Sequence, residues 1–136
     1  MNSLLEKFRC GAFLLVRVVV GYMFLLHGTS KFFEFPVSMT GGNGSVELVS
    51  IYGFAAILEI AGGILLMLGL LTRPVAFLLS GQMAYAYFFV HGAQGNILQP
   101  MLNGGELAAL YSVVFLLFVF VGAGKFSLDQ KIFGKY

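Results

Sequence analysis

Apolar residues run almost unbroken through four stretches of the chain, at about 11–33, 48–71, 74–91 and 104–121, and polar segments part each stretch from the next. Each stretch is close to the ~20 residues that ~30 Å of hydrocarbon requires at ~1.5 Å per residue. Period-two alternation is absent and the runs are roughly double the length of a barrel strand, so helices are the way to satisfy every backbone group in lipid. The punctuation agrees. Residues 34–47 include Pro36, Gly41, Gly42, Asn43 and Gly44, while Thr72-Arg73-Pro74 sets proline at the opening of a helix. Residues 92–103 are polar but uncharged, and Gly122 and Gly124 end the last run. The pattern predicts an all-α fold, a polytopic membrane four-helix bundle forming a single transmembrane domain over 1–136.

Composition strengthens this reading, because 59% of the 136 residues are hydrophobic and only 10% are charged. A water-soluble domain could not hide that much apolar surface, so the lipid bilayer is the first expected partner. The net charge of +2 is small and scattered, which excludes a nucleic-acid partner. Lys7, Arg9, Arg73, Lys125, Lys131 and Lys135 fall on one side of an even-span topology and only Lys31 on the other. The positive-inside rule then places both the N- and C-termini in the cytoplasm and the two longer loops outside. Cys10 has no partner in the chain, which rules out an internal disulfide or dithiol relay. The first stretch is too long for a signal-peptide core and contains Arg17, so it is read as a retained span.

Ionisable groups at membrane depth are functional candidates by default. Here they are Arg17, His27, Lys31, Glu59, His91 and Glu106. Counting along each helix puts His27 and His91 at roughly 25 Å from the cytoplasmic edge, with Lys31 one turn higher and Glu106 within about a turn of both histidines. Arg17 and Glu59 lie deeper, at roughly 10 Å and 18 Å. Side chains lean toward their own helix N-terminus, so Glu59 reaches outward at least as readily as it pairs with Arg17. At 100° per residue, Arg17, Gly21, Phe24, Gly28 and Lys31 share one face of the first helix, and Tyr52, Ala55, Glu59, Gly63 and Leu66 share one face of the second. On the third, Ser80, Tyr87 and His91 form a stripe, with Gln82 and Tyr85 beside it. Plainer roles compete: Arg17 and Lys31 snorkelling to an interface, a satisfied interfacial histidine, and Glu106 completing a capping box after Asn103. Glu59 has no such alternative.

The order Arg17-x3-Gly21, Phe24-x2-His27-Gly28-x2-Lys31, Glu59-x2-Gly62-Gly63 with Gly69 and Arg73, Asn103-Gly104-Gly105-Glu106 with Tyr111, and Gly122-x-Gly124 with Ser127-Leu128-Asp129 resembles the DoxX family of small four-helix membrane proteins. The likeness covers nearly the whole chain; a Gly-Ala-Gly stands where the family usually has Gly-Pro-Gly after the last span. The resemblance implies a multi-pass protein of the bacterial inner (plasma) membrane tied to redox work. Its relatives are linked to thiosulfate:quinone oxidoreductase, to protection against quinone and thiol stress, and to terminal-oxidase complexes.

Two functions follow as expectations. The first is a component of a quinone-linked oxidoreductase system, with Glu59, His91 and Glu106 as catalytic groups and Arg17, His27, Lys31 and Tyr87 binding the quinone or a similar apolar ligand near the outer leaflet. Quinone reduction takes up two protons with two electrons, which a carboxylate and an imidazole can supply. The sequence has no cysteine cluster, dinucleotide fingerprint or clear haem arrangement, so no metal or haem is expected and electrons would come from a redox partner subunit or a soluble donor. A homo-oligomer is compatible with the same reading. The second is a non-catalytic membrane scaffold or assembly subunit, or a small-solute permease, with the scaffold favoured because four short helices leave little room for alternating access.

Overall fold

The computed structural model describes residues 2–134; Lys135, counted above among the flanking charges, lies outside them. Among the described residues the fold is entirely helical, without strands. Helix α1 (Asn2–Phe33) is followed by a long loop, then α2 (Ile51–Leu68) and α3 (Thr72–Tyr85). A π-helical turn (Ala86–His91) and a 3-10 turn (Gly92–Gln94) extend α3, and the short α4 (Pro100–Asn103), then α5 (Glu106–Val121) and α6 (Leu128–Phe133) complete the chain.

Two of these helices, α1 and α2, are long and apolar enough to cross a membrane, and their most apolar windows are only 17% and 33% buried. A core helix of a soluble protein would hide most of its surface. Here Leu15, Val19, Phe54, Phe77, Phe89 and Phe120 all point outward. The α5 helix is apolar but shorter.

Close pairing follows from small residues. A Cβ on Gly21 would lie 2.8 Å from the Gly63 carbonyl oxygen, and one on Gly63 would lie 2.7 Å from that of Gly21, so the backbones of antiparallel α1 and α2 touch. In the same way Gly62 accepts the side chain of Leu79 from α3. Between α3 and α5, Ser80 and Ser112 exchange hydrogen bonds, each hydroxyl donating to the other's main-chain carbonyl at 2.8 and 3.1 Å. The interior is then filled by Phe24, Leu66, Ala76, Leu79, Met83, Tyr111, Phe115 and Phe118.

The predicted stripe of α1 faces inward: Arg17, Gly21, Phe24 and Gly28 are buried and Lys31 is half-buried. The stripe expected on α2 is displaced. Tyr52 is exposed, because Gly53 is pressed against the Glu47 and Leu48 carbonyl oxygens and turns that first turn of the helix. The buried face is Gly53, Ala56, Glu59, Gly62, Gly63 and Leu66. The capping box, the plainer alternative for Glu106, does not form. Asn103 closes α4, where its Oδ1 accepts the Gly105 N–H at 2.7 Å, and α5 starts at Glu106 without a side-chain cap.

Arg17, 2% exposed, ties the end of the molecule opposite Lys31 together. Its guanidinium donates to the carbonyls of Ala123, of Phe126 at 2.6 Å and of Met67 at 3.4 Å, so α1 holds both the end of α2 and the chain after α5. Five donors on a rigid fork suit such a cluster of carbonyls. Gly69, left-handed at φ 66°, leaves room for it. Asp129 on α6 completes the junction by accepting the N–H groups of Leu71 and Thr72 at 2.7 and 2.9 Å, which caps α3 from a distant part of the sequence.

Two predictions follow from these local structures. Asp129→Ala leaves two α3 amides without their acceptor and should lower the unfolding free energy in mild detergent by about 1 kcal/mol, the usual worth of a lost cap; an unchanged transition would refute the cap. In the loop after α1, Glu34 Oε1 accepts hydrogen bonds from Ser38, Thr40 and the Gly44 N–H at 2.7, 3.0 and 3.2 Å, and these hold its carboxyl below the ordinary range, with Ser38 the largest cause. A depressed folded pKa gives an order that is fully present above the ordinary carboxylate pKa and lost as pH falls through the depressed value. Protection of the Gly44 amide from hydrogen exchange should follow that course in the native protein and be absent at every pH in Glu34→Ala.

Candidate functional site

Glu59 is 3% exposed in the middle of α2, and three helices supply its surroundings. Gly28 lets α1 approach, since a Cβ there would lie 2.8 Å from the Ala56 carbonyl oxygen and 3.0 Å from Glu59 Cβ. Side chains lean toward their helix N-termini, so in this antiparallel pair Lys31 and Glu59 lean toward each other. Lys31 Nζ meets Glu59 Oε2 at 2.6 Å. From α3, Gln82 Nε2 donates to Glu59 Oε1 at 3.2 Å and reaches the Ala55 carbonyl at 3.5 Å.

Beside this cluster stands Tyr111 of α5, 5% exposed, in an aromatic enclosure. It stacks on Phe115 with ring centroids 5.5 Å apart, and its ring meets Phe24 at 5.2 Å and His27 at 5.9 Å in edge-to-face contacts. The charge of Glu59 reaches Tyr111, and that of Lys31 reaches His27. Two buried polar atoms here have no hydrogen-bond partner, the Tyr111 hydroxyl and Gln82 Oε1. Such atoms are uncommon in native interiors, and each costs on the order of 1–3 kcal/mol; the other three among the described residues, Arg17 Nε, Thr72 Oγ1 and Gln130 Oε1, lie at the far end of the helices.

Of the seven residues singled out from the sequence, three assemble here: Lys31, Glu59 and His27. The others lie elsewhere. Arg17 is about 21 Å along α1 from Lys31 and is engaged with main-chain carbonyls. His91 ends the π-helical turn and lies against Gly104 and Gly105. In the same turn Tyr87 donates its hydroxyl to the Ile97 carbonyl at 2.6 Å. Glu106 is exposed on the rim of a shallow cleft with Leu107, Ala109, Leu110 and Val113, about 140° around α5 from Tyr111. Gln82, expected only beside the α3 stripe, and Tyr111, named only within the family resemblance, complete the cluster, and neither was assigned a role from the sequence. The available signals were an amide in the middle of an apolar run and a tyrosine hydroxyl too deep for an interfacial belt. Among the described residues no three histidine, cysteine or carboxylate side chains gather as a metal site.

The profile of the DoxX family matches residues 12–92, a segment holding every member of the cluster except Tyr111. The chain belongs to the DoxX family. Two curated relatives extend the likeness over almost its full length. One, from Haemophilus influenzae and described as an uncharacterized protein, is 58% identical over 136 residues, covering 99% of this chain and 100% of that protein. The other, from Bacillus subtilis, is named "Putative oxidoreductase CatD" and is 30% identical over 130 residues, covering 94% of this chain and 91% of its own. No solved structure matches the chain. In this DoxX membrane protein, then, the buried carboxylate and its lysine lie within the family's matching segment, and the tyrosine comes from α5 beyond it.

The Lys31–Glu59 pair makes a testable demand on stability. Removing one partner of a buried ion pair costs about 3–5 kcal/mol, whereas removing both is far milder. Lys31→Met should therefore lower the unfolding free energy of the detergent-solubilised protein by about that amount, and Lys31→Met/Glu59→Gln should regain most of it. Additive losses in the double variant would show that the two side chains do not interact.

Proposed function

We propose that this DoxX protein crosses the bacterial inner membrane four times with both termini in the cytoplasm, and that it serves a quinone-linked redox system by binding a quinone or similar flat ring beside Glu59. Four crossings use α1, α2, α3 with its π-helical extension, and α5. Lys7, Arg9, Arg73, Lys125 and Lys131 fall on one side of that topology. The one basic residue on the other side, Lys31, is paired with Glu59 rather than free in the flank.

The observation that carries the ligand is the Tyr111 hydroxyl, buried and without a hydrogen-bond partner, on a ring packed among Phe24, His27 and Phe115. The residues present fit a quinone. Phe24, His27, Tyr111 and Phe115 offer apolar and aromatic surface to a flat ring, and the hydroxyl offers a donor to a carbonyl oxygen. When bound, a quinone supplies two-electron, two-proton chemistry, with electrons delivered by a partner subunit or soluble donor. The chain's own contribution is to orient the ring, keep water out, and hold a proton on Lys31 Nζ against Glu59. The oxidoreductase name of the Bacillus subtilis relative points the same way.

A second reading is a scaffold. The Lys31–Glu59–Gln82 network joins three helices, which is also what a non-catalytic assembly subunit needs. Tyr111→Phe separates the two readings. It deletes an unpaired hydroxyl, so stability should be unchanged or slightly higher, while affinity for a short-chain benzoquinone, measured by calorimetry in lipid nanodiscs, should fall about tenfold. Native protein that binds no quinone would leave the scaffold standing.

A further inference from the structure

We infer that the site favours the reduced, hydroxyl-bearing form of its ring over the quinone, and that Gln82 is the residue that makes the distinction. The inference rests on the quinone reading above and adds a preference which that reading does not contain. Gln82 is fixed end for end, because its Nε2 donates to Glu59 Oε1 and toward the Ala55 carbonyl, both of which can only accept. Its Oε1 is therefore an acceptor, buried and without a donor.

The Tyr111 hydroxyl can donate or accept and so serves either redox form. Gln82 Oε1 can only accept. A quinone carbonyl set against it brings two acceptors together and leaves both unsatisfied, whereas a hydroquinone O–H fills the bond. Glu59 adds further acceptor character, with one oxygen held by Gln82 and the other by Lys31. A polar group left unpaired in a dry site is enough to discriminate strongly between analogues that differ by one hydrogen-bonding group.

The test uses the full chain in nanodiscs under anaerobic conditions, titrated with a short-chain benzoquinone and separately with its hydroquinone. The native protein should bind the hydroquinone roughly tenfold tighter. The midpoint potential of the bound couple should then lie about 30 mV above that of the free couple in lipid. Gln82→Leu should remove the preference, weakening the hydroquinone, which loses its acceptor, and relieving the quinone, which no longer faces an opposing one; Gln82→Met, closer in shape, repeats the test should the leucine variant fail to fold. Equal affinities in the native protein, or tighter quinone binding, would overturn the preference and leave the quinone site intact. Binding of neither form would overturn both.

Discussion

A carboxylate in the middle of an apolar helix has lost most of its water, and in or near hydrocarbon that loss is worth several kcal/mol unless a counter-charge and hydrogen bonds replace the solvent. Glu59 meets this constraint with Lys31 at 2.6 Å and Gln82 at 3.2 Å, drawn from the helices on either side of its own. Much of the surrounding structure makes the contact possible. Gly21 and Gly63 bring two backbones together, Gly28 lets α1 approach α2 at Ala56 and Glu59, and Gly62 admits Leu79 from α3, the helix that carries Gln82. The opposing lean of side chains on antiparallel helices then aims acid and base at each other.

The far end obeys the same rule with different partners. Arg17 is as buried as Glu59, yet its two NH2 groups are met by main-chain carbonyls, of Met67 in the last turn of α2 and of Ala123 and Phe126 in the chain after α5. Asp129 does the complementary work for the unpaired N–H groups that open α3. One buried charge therefore joins side chains of three helices, and the other joins the end of α2 to the chain after α5. At the Lys31–Glu59 level Tyr111 and Gln82 each leave a buried polar atom unused, as Arg17 Nε, Thr72 Oγ1 and Gln130 Oε1 do at the far end.

The sequence made the helices and the first polar stripe legible because both rest on a steady 3.6-residue period. Arg17, Gly21, Phe24 and Gly28 do line one buried face with Lys31 half-buried at its end, and the reach of Glu59 toward Lys31 followed from side-chain lean. Legibility ended where the period changed. The π-helical turn at Ala86–His91 breaks the 100° step, so Tyr87 and His91 turn to the loop and the Gly104–Gly105 corner rather than to Glu59. Height alone could not place Glu106, which shares a level with the histidines in a linear count but lies on the outer face of α5. The capping partner of α3 was hidden for another reason. Asp129 is 57 residues from Thr72, and no local rule connects them.

The most direct measurement is an experimental structure of the protein in a lipid bilayer, at a resolution that places side chains. The expected result is Lys31 Nζ in hydrogen-bond contact with Glu59, both turned inward toward Gln82 and Tyr111. A structure with Glu59 facing lipid, or with Lys31 extended away to the membrane surface, would contradict the shared polar centre and the ligand chemistry built on it.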